Sequence, residues 1–364
     1  MKNLPPRPLP PSPSRPASGR ALVMVALTAV LLAGCATRPR DAARKVHQAG
    51  ESVVFIGEEP AALAHAPAPA TSLVVRSTYK PTPDSVRYVE GRDYLVDPAA
   101  GTLRRLPGSR LPDFRENVLF GQATFDHTRF PGFGNAAFFA FVDYDYEPTA
   151  DWPVQASQAD RLPRTRARLH SGQRVKLVAY GDSITAGGDA SRPDLVFWRR
   201  WAAALQAKYP QAEVVAINGA TGGDSTVQGL QRLQAKVINE RPDLVLVGFG
   251  MNDHNVGGVP VPQFEANLET LITRVRQETG AELVLFSAFP PNPRWKFGSH
   301  HMADYAEATR RVAERTECAY ADVLSNWQLV AARKKPEDML ANNINHPNDF
   351  GHWIYFRVLL TLGL

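Results

Sequence analysis

Five short apolar runs, each followed by a stretch with helical spacing, constrain this chain more than any other feature. The runs lie at 175–180, 213–217, 243–249, 282–287 and 319–322, and the helical patterns at 194–208, 225–239, 262–278 and 302–315, with a last helix from about 349 through 360. Runs this short and this continuously apolar read as strands buried on both faces rather than as helices. Strands of that kind separated by helices predict a parallel sheet with helices packed on either side. The second half of the chain is therefore expected to be a three-layer α/β/α domain.

The first half has a different texture. Runs at 52–56, 72–76, 94–97, 102–106 and 136–146 are rich in β-branched and aromatic residues and are separated by Pro, Gly and Asp clusters. That spacing reads as an all-β unit, and no helical period of useful length appears before residue 150. The expected organisation is a β-sandwich at 51–147, a linker rich in Pro, Arg and Gln at 148–173, and the α/β domain at 174–364.

Upstream of both, residues 1–34 read as an export signal. Basic residues precede the apolar run 21–33, which is too short for a comfortable membrane span and ends in small residues. Its end, Leu32-Ala33-Gly34-Cys35, resembles the lipobox of bacterial lipoproteins. That resemblance implies cleavage before Cys35, lipidation of the cysteine, and a tether at 35–50. Ala36 stands where an inner-membrane retention signal would have aspartate, so the outer membrane is the expected address. Lys2, Arg7, Arg15 and Arg20 precede Cys35 with no acid among them, so of the formal +5 only +1 remains beyond it. Such a balance gives no basic footprint for nucleic acid. Cys318 is the one other thiol, which leaves no intramolecular disulfide to expect.

Four segments in the second half stand where predicted strands end or the last helix begins: Gly181-Asp182-Ser183, Asn218 to Ser225, Gly250-Met251-Asn252-Asp253, and Asn343-Ile344-Asn345-His346. A parallel sheet brings the ends of its strands to one edge, where ligands bind. Taken alone, Ser183 reads equally well as a helix-capping serine or as a nucleophile.

Together, and in this order, the four segments resemble the blocks of the SGNH (GDSL-type) hydrolase family over about residues 175–360. The resemblance implies Ser183 as nucleophile, Gly223 as the oxyanion glycine with Gly222 as the next candidate, Asn252 as oxyanion amide, and His346 as base. The chemistry of the residue types agrees. A serine hydroxyl needs a neighbouring base, and histidine is suited to that near neutral pH. An ester carbonyl under attack needs donors already in place, and two backbone N–H groups with an amide supply them. Gly223 is expected to be glycine because a side chain would crowd the approach to substrate.

One departure stands out. Where the family has aspartate three residues before the histidine, this chain has Asn343. The expectation is a Ser183–His346 dyad supported by Asn343 through its side-chain carbonyl, as Asn does in papain-like enzymes, or by a backbone carbonyl. Asp349 is expected to cap the last helix instead. Asp182, Asp253, His254, Trp295 and His300 are weaker candidates for substrate contact. No group of ligands has metal-site spacing, so no metal and no cofactor is expected.

These readings add up to an exported serine esterase whose partner is an acylated carbohydrate or another small ester, touching membrane only through its N-terminal lipid. Removal of O-acetyl groups from a carbohydrate is the leading expectation. A lysophospholipase or thioesterase-like activity, and a non-catalytic glycan-binding lipoprotein, are the alternatives.

Overall fold

The structure, a computed structural model, describes residues 45–69, 72–148 and 152–364. The signal segment and Cys35 lie outside the described residues. The described residues belong to one compact unit.

The first part is antiparallel. Strands β1 (Val46–Val53), β3 (Val74–Arg76), β4 (Arg87–Tyr88) and β7 (Ala140–Tyr146) make a sheet in the order β1-β7-β3-β4, while β2 (Ala61–Ala62), β5 (Tyr94–Asp97) and β6 (Thr102–Arg105) make a second in the order β2-β6-β5. Val53, Val75, Val142 and Tyr144 from one sheet share a buried core with Ala61, Tyr94 and Leu103 from the other. β1 starts at Val46, inside the stretch read as a tether, because it finds a long antiparallel partner in β7. Between β6 and β7 runs a long excursion, 106–139, with three short 3₁₀ turns. Two of them begin with an aspartate, Asp113 and Asp126, whose side chain accepts the N–H two residues on.

The second part is the expected three-layer arrangement. Strands β8 (Val175–Gly181), β9 (Val214–Asn218), β10 (Leu244–Gly248), β11 (Glu282–Phe286) and β12 (Ala319–Ala321) form a parallel sheet in the order β12-β11-β10-β8-β9. Leu177 to Tyr180 and Leu244 to Leu246 are fully buried, as strands covered on both faces must be. The chain runs outward from β8 to β9, then returns past β8 to β10 and proceeds the other way. With right-handed crossovers this reversal sends α3 (Phe197–Lys208) to one face and α4 (Thr226–Lys236), α5 (Val261–Thr279) and α6 (Met302–Arg315) to the other. The last helix, α9 (Asp349–Leu360), packs beside α3 and α7 (Val323–Ala331).

Three helices escaped the sequence reading. The segment read as a linker carries α1 (Pro163–His170), which begins with the proline that suits a first helical turn. α7 and the single-turn α8 (Pro336–Met339) are too short, at nine and four residues, to display a helical period in the sequence.

Candidate active site

The reversal of direction makes the C-terminal ends of β8 and β10 a topological switch point, the place where open α/β sheets bind ligands. Ser183 follows β8 and Asn252 follows β10. Asp182 caps the one-turn helix α2 (Ser183–Ala186) by accepting the Ile184 N–H at 2.9 Å, which fixes Ser183 as the first helical residue. Ser183 Oγ lies 2.8 Å from His346 Nε2. On the far side of the ring, His346 Nδ1 lies 2.8 Å from Asp189 Oδ2.

Asp189 is the partner that the sequence reading missed. It comes six residues after Ser183 rather than three before His346. α2 ends at Gly187 with φ +104°, and Asp189 itself adopts φ +58°, so two left-handed residues turn the chain back toward Ser183. Gly188 between them has no room for a side chain. A Cβ there would stand 2.9 Å from the Ser183 carbonyl oxygen and 3.0 Å from His346 Nδ1. The hydrogen bond from His346 is the main cause that holds the Asp189 carboxyl below its ordinary range. The one hint in the sequence was Gly187-Gly188-Asp189, a turn-forming run that returns an acid to the nucleophile.

Asn343 does not serve His346, which corrects the expectation drawn from its position. Its side-chain N–H₂ donates to the Phe133 carbonyl at 2.7 Å, and its backbone adopts φ +59°, a conformation that asparagine tolerates better than most residues. Aspartate could not make that donation. Asn342 shapes the turn instead, its side-chain oxygen accepting the N–H groups of Ile344, Asn345 and His346, each at 2.9 Å. Asp349 is also reassigned. The cap of α9 is Asn348, and the Asp349 carboxylate accepts both the Ser191 N–H at 2.9 Å and its hydroxyl at 2.6 Å. Asp349 thus anchors the loop that carries Asp189. His352, fully buried, donates from Nε2 to the Gly188 carbonyl at 3.3 Å, and burial pushes its pKa down to about 3, so the ring is neutral.

The candidate oxyanion donors stand on the loops that follow β8, β9 and β10. Among the described residues, the backbone N–H groups of Ser183, Gly222 and Gly223 have no protein acceptor. Gly222 lies against Ser183: a Cβ on it would be 3.8 Å from Ser183 Cβ. Gly223 has a backbone reason to be glycine. A Cβ there would meet nothing within 4 Å, but φ is +81°. Asn252 spends one amide hydrogen on the Asp224 carbonyl at 2.9 Å, which orients the side chain and leaves the second hydrogen free. Asn218 ties the second block to the first, donating to the Ala186 carbonyl at 3.1 Å.

The weaker candidates separate. Asp253 is fully buried and accepts from the Thr226 N–H at 2.9 Å, the Thr226 hydroxyl and the Gly250 N–H at 3.1 Å, so it braces the Asn252 turn and meets no substrate. Asp182 is likewise buried, next to Ser183, and burial raises its pKa to about 7. His254 is buried, donates from Nδ1 to the Met251 carbonyl, and forms one wall of a cleft of about 550 Å³ shared with His301, Asp304 and Tyr305. Trp295 is buried with Leu119, Phe125 and Ile344, its indole N–H 3.0 Å from His127 Nδ1, so its ring is no stacking platform. His300 is exposed, in a left-handed turn. Among the described residues no three His, Cys, Asp or Glu side chains are grouped as a metal site would need.

Comparisons with known proteins give the following similarities. The family described as GDSL-like Lipase/Acylhydrolase matches residues 179–354. An arylesterase of Vibrio mimicus is 28% identical over 180 residues, 49% of this chain and 84% of the relative. Esterase TesA of Pseudomonas aeruginosa is 30% identical over 147 residues, 39% of this chain and 67% of the relative. An acetylxylan esterase of Geobacillus stearothermophilus is 23% identical over 211 residues, 53% of this chain and 94% of the relative. The crystal structure of Axe2, an acetylxylan esterase from Geobacillus stearothermophilus, superposes with a TM-score of 0.46 at 24% identity, covering 52% of this chain and 94% of that one.

Proposed function

The chain belongs to the GDSL-like lipase/acylhydrolase family and is a carboxylic ester hydrolase; from that premise we propose that it removes O-acetyl groups from a carbohydrate, with Ser183 as nucleophile, His346 as base and Asp189 as the carboxylate that orients the base. The observation that carries the reading is the unbroken pair of 2.8 Å contacts, Ser183 to His346 and His346 to Asp189.

In this mechanism Ser183 Oγ attacks the acetyl carbonyl carbon while its proton passes to His346 Nε2. The Asp189 carboxylate accepts the Nδ1–H, which keeps Nε2 free as the basic nitrogen and stabilises the imidazolium that forms. Negative charge develops on the former carbonyl oxygen, facing the Ser183 N–H, a glycine N–H of the 222–223 pair and the free hydrogen of Asn252. Each such donor contributes on the order of 3 kcal/mol to the transition state in comparable sites. Collapse of the tetrahedral intermediate breaks the bond to the sugar oxygen, which takes the proton from Nε2. Water then repeats the sequence on acetyl-Ser183: His346 removes its proton, acetate leaves, and Ser183 regains its hydrogen.

Support for the acetyl-carbohydrate class comes from the relative named acetylxylan esterase and from the short Gly- and Pro-rich surroundings of the four blocks, which offer no long apolar acyl groove. The test is acetate release from a panel of acetylated polysaccharides, beside 4-nitrophenyl acetate and 4-nitrophenyl decanoate, for the wild type and Ser183→Ala. Release from an acetylated glycan, lost in the variant, is the expected result. Preference for the decanoate with no glycan turnover overturns the substrate class.

The same proposal puts the mature chain at the outer membrane of its cell through a lipid on Cys35. Incorporation of a palmitate analogue that Cys35→Ala abolishes supports it; an unlabelled wild-type chain free of the membrane fraction overturns it.

A further inference from the structure

The base stands on the loop between α8 and α9, and that loop is sewn to the antiparallel part of the molecule at each end and in the middle. At its start, the Asp338 carbonyl accepts the Ser52 hydroxyl and the Asp338 carboxylate accepts the Val54 N–H at 2.7 Å. At its close, the Asn348 amide donates to Ser52 Oγ at 2.9 Å. In between, Asn343 donates to the Phe133 carbonyl, and Asn135 makes three bonds. Its side-chain amide donates to the carbonyls of Glu337 at 3.0 Å and Leu340 at 2.9 Å, and its backbone N–H donates to the Ala341 carbonyl at 2.6 Å. Ala341 in turn donates its own N–H to the His346 carbonyl at 2.9 Å. One peptide unit therefore separates Asn135 from the backbone of the base. Asn135 is fully buried, and Asn117 clasps it from behind by donating to the Gly134 carbonyl at 3.1 Å.

Such a set of bonds demands an amide. Two carbonyl oxygens converge on one side-chain nitrogen, so a carboxylate in that place would repel both and an apolar residue would leave both unsatisfied. Nothing in the folding of the parallel sheet requires those carbonyls to face the 106–139 excursion. What the bonds define is the height and tilt of the turn that Asn342 wraps around His346.

The geometry points to Asn135 as a positioning residue for the base: the antiparallel part of the molecule completes the active site by holding His346 in register with Ser183 and Asp189. This inference rests on the triad reading above. It is tested in the full chain with Asn135→Ala, compared with Arg333→Ala. Arg333 bonds the Leu63 and Ala100 carbonyls and so loosens the same interface away from the base. The measurements are kcat and KM on 4-nitrophenyl acetate per folded molecule, thermal midpoint, and the downfield proton resonance of His346 Nδ1–H, assigned by its loss in Asp189→Ala. The expected result for Asn135→Ala is a fall in kcat of about tenfold or more with KM within about twofold, in line with the cost of small misplacements of catalytic groups, and a broadened or missing downfield resonance. Arg333→Ala is expected to lower the midpoint while kcat and the resonance persist. Wild-type kcat and an intact resonance in Asn135→Ala overturn the proposal, as does an equal loss of kcat in Arg333→Ala at equal loss of midpoint. Should Asn135→Ala fail to fold, Asn117→Ala withdraws the clasp behind Asn135, together with the acceptor of the Leu119 N–H, while leaving the bonds of Asn135 to the base loop in place, and is read by the same outcomes. Activity that survives in Ser183→Ala would instead overturn the triad reading itself.

Discussion

Two residues exchange roles in this site. The position that the family pattern reserves for an acid holds Asn343, and the carboxylate on the imidazole is that of Asp189, delivered by a left-handed turn after α2. Asp189→Asn should lower kcat by roughly 10²–10⁴ with KM little changed, since an amide stabilises neither the needed tautomer nor the imidazolium; steady-state kinetics on a short ester checks this. Placing the acid back at its usual position should not help. Asn343→Asp in that background is expected to leave activity low and to destabilise the fold by about 1–3 kcal/mol, because the half-buried Phe133 carbonyl loses its donor. Recovery of activity in the double variant would show that Asn343 sits close enough to serve. At this scale Ser183, Asn252 and His346 were legible from spacing, because each belongs to a local block. Asp189 was not, since only the fold decides which of several loops an imidazole faces.

Short elements hold these residues still. α2 has a single turn and depends on its cap, Asp182, a carboxyl buried under the nucleophile and raised from 3.8 to about 7 by that burial, with the Asp253 charge a lesser cause. Its linkage to stability follows from the direction of the shift. Below pH 3.8 the group is protonated whether folded or unfolded. Between about 4 and 7 the unfolded chain ionises and the folded one does not, so stability falls as pH rises, and it levels off above about 7. Asp182→Asn keeps a capping oxygen and removes the titration. Its unfolding free energy relative to the wild type should therefore climb by up to a few kcal/mol between pH 4 and 7, measured by urea denaturation across that range; a flat difference would mean the carboxyl ionises freely in the folded state. The loop bearing Asp189 has its own brace in Asp349, whose carboxylate holds the Ser191 N–H and hydroxyl. Asp349→Ala should lower kcat by about tenfold through a loosened Asp189, while titration of Ser183 by a phosphonate ester still reports an intact nucleophile.

Across the whole molecule, the antiparallel part and the α/β part share polar groups that neither could bury alone. Lys334, from the loop before α8, is fully buried against Glu51 of β1 at 2.8 Å, and the Tyr144 hydroxyl of β7 donates to the other Glu51 oxygen at 2.6 Å. Removing one member of a buried pair strands the other, so Lys334→Ala should cost about 3–5 kcal/mol. Because the pair bridges the two parts, calorimetry should show one unfolding transition moved down rather than one part melting ahead; two separated transitions would mean that the parts fold independently. The sequence by itself determined the parallel sheet, the antiparallel texture upstream, and the edge on which Ser183, Asn252 and His346 meet. Those follow from period, apolar content and short-range spacing, which are local properties of the chain. Tertiary structure alone decided that Asp189 takes the imidazole, that Asn343 turns away to Phe133, that Asp349 braces a loop, and that Asn135 reaches the carbonyls beside the base. Each of those depends on where a donor finds an acceptor far along the chain, and such pairings carry no period that a sequence can display.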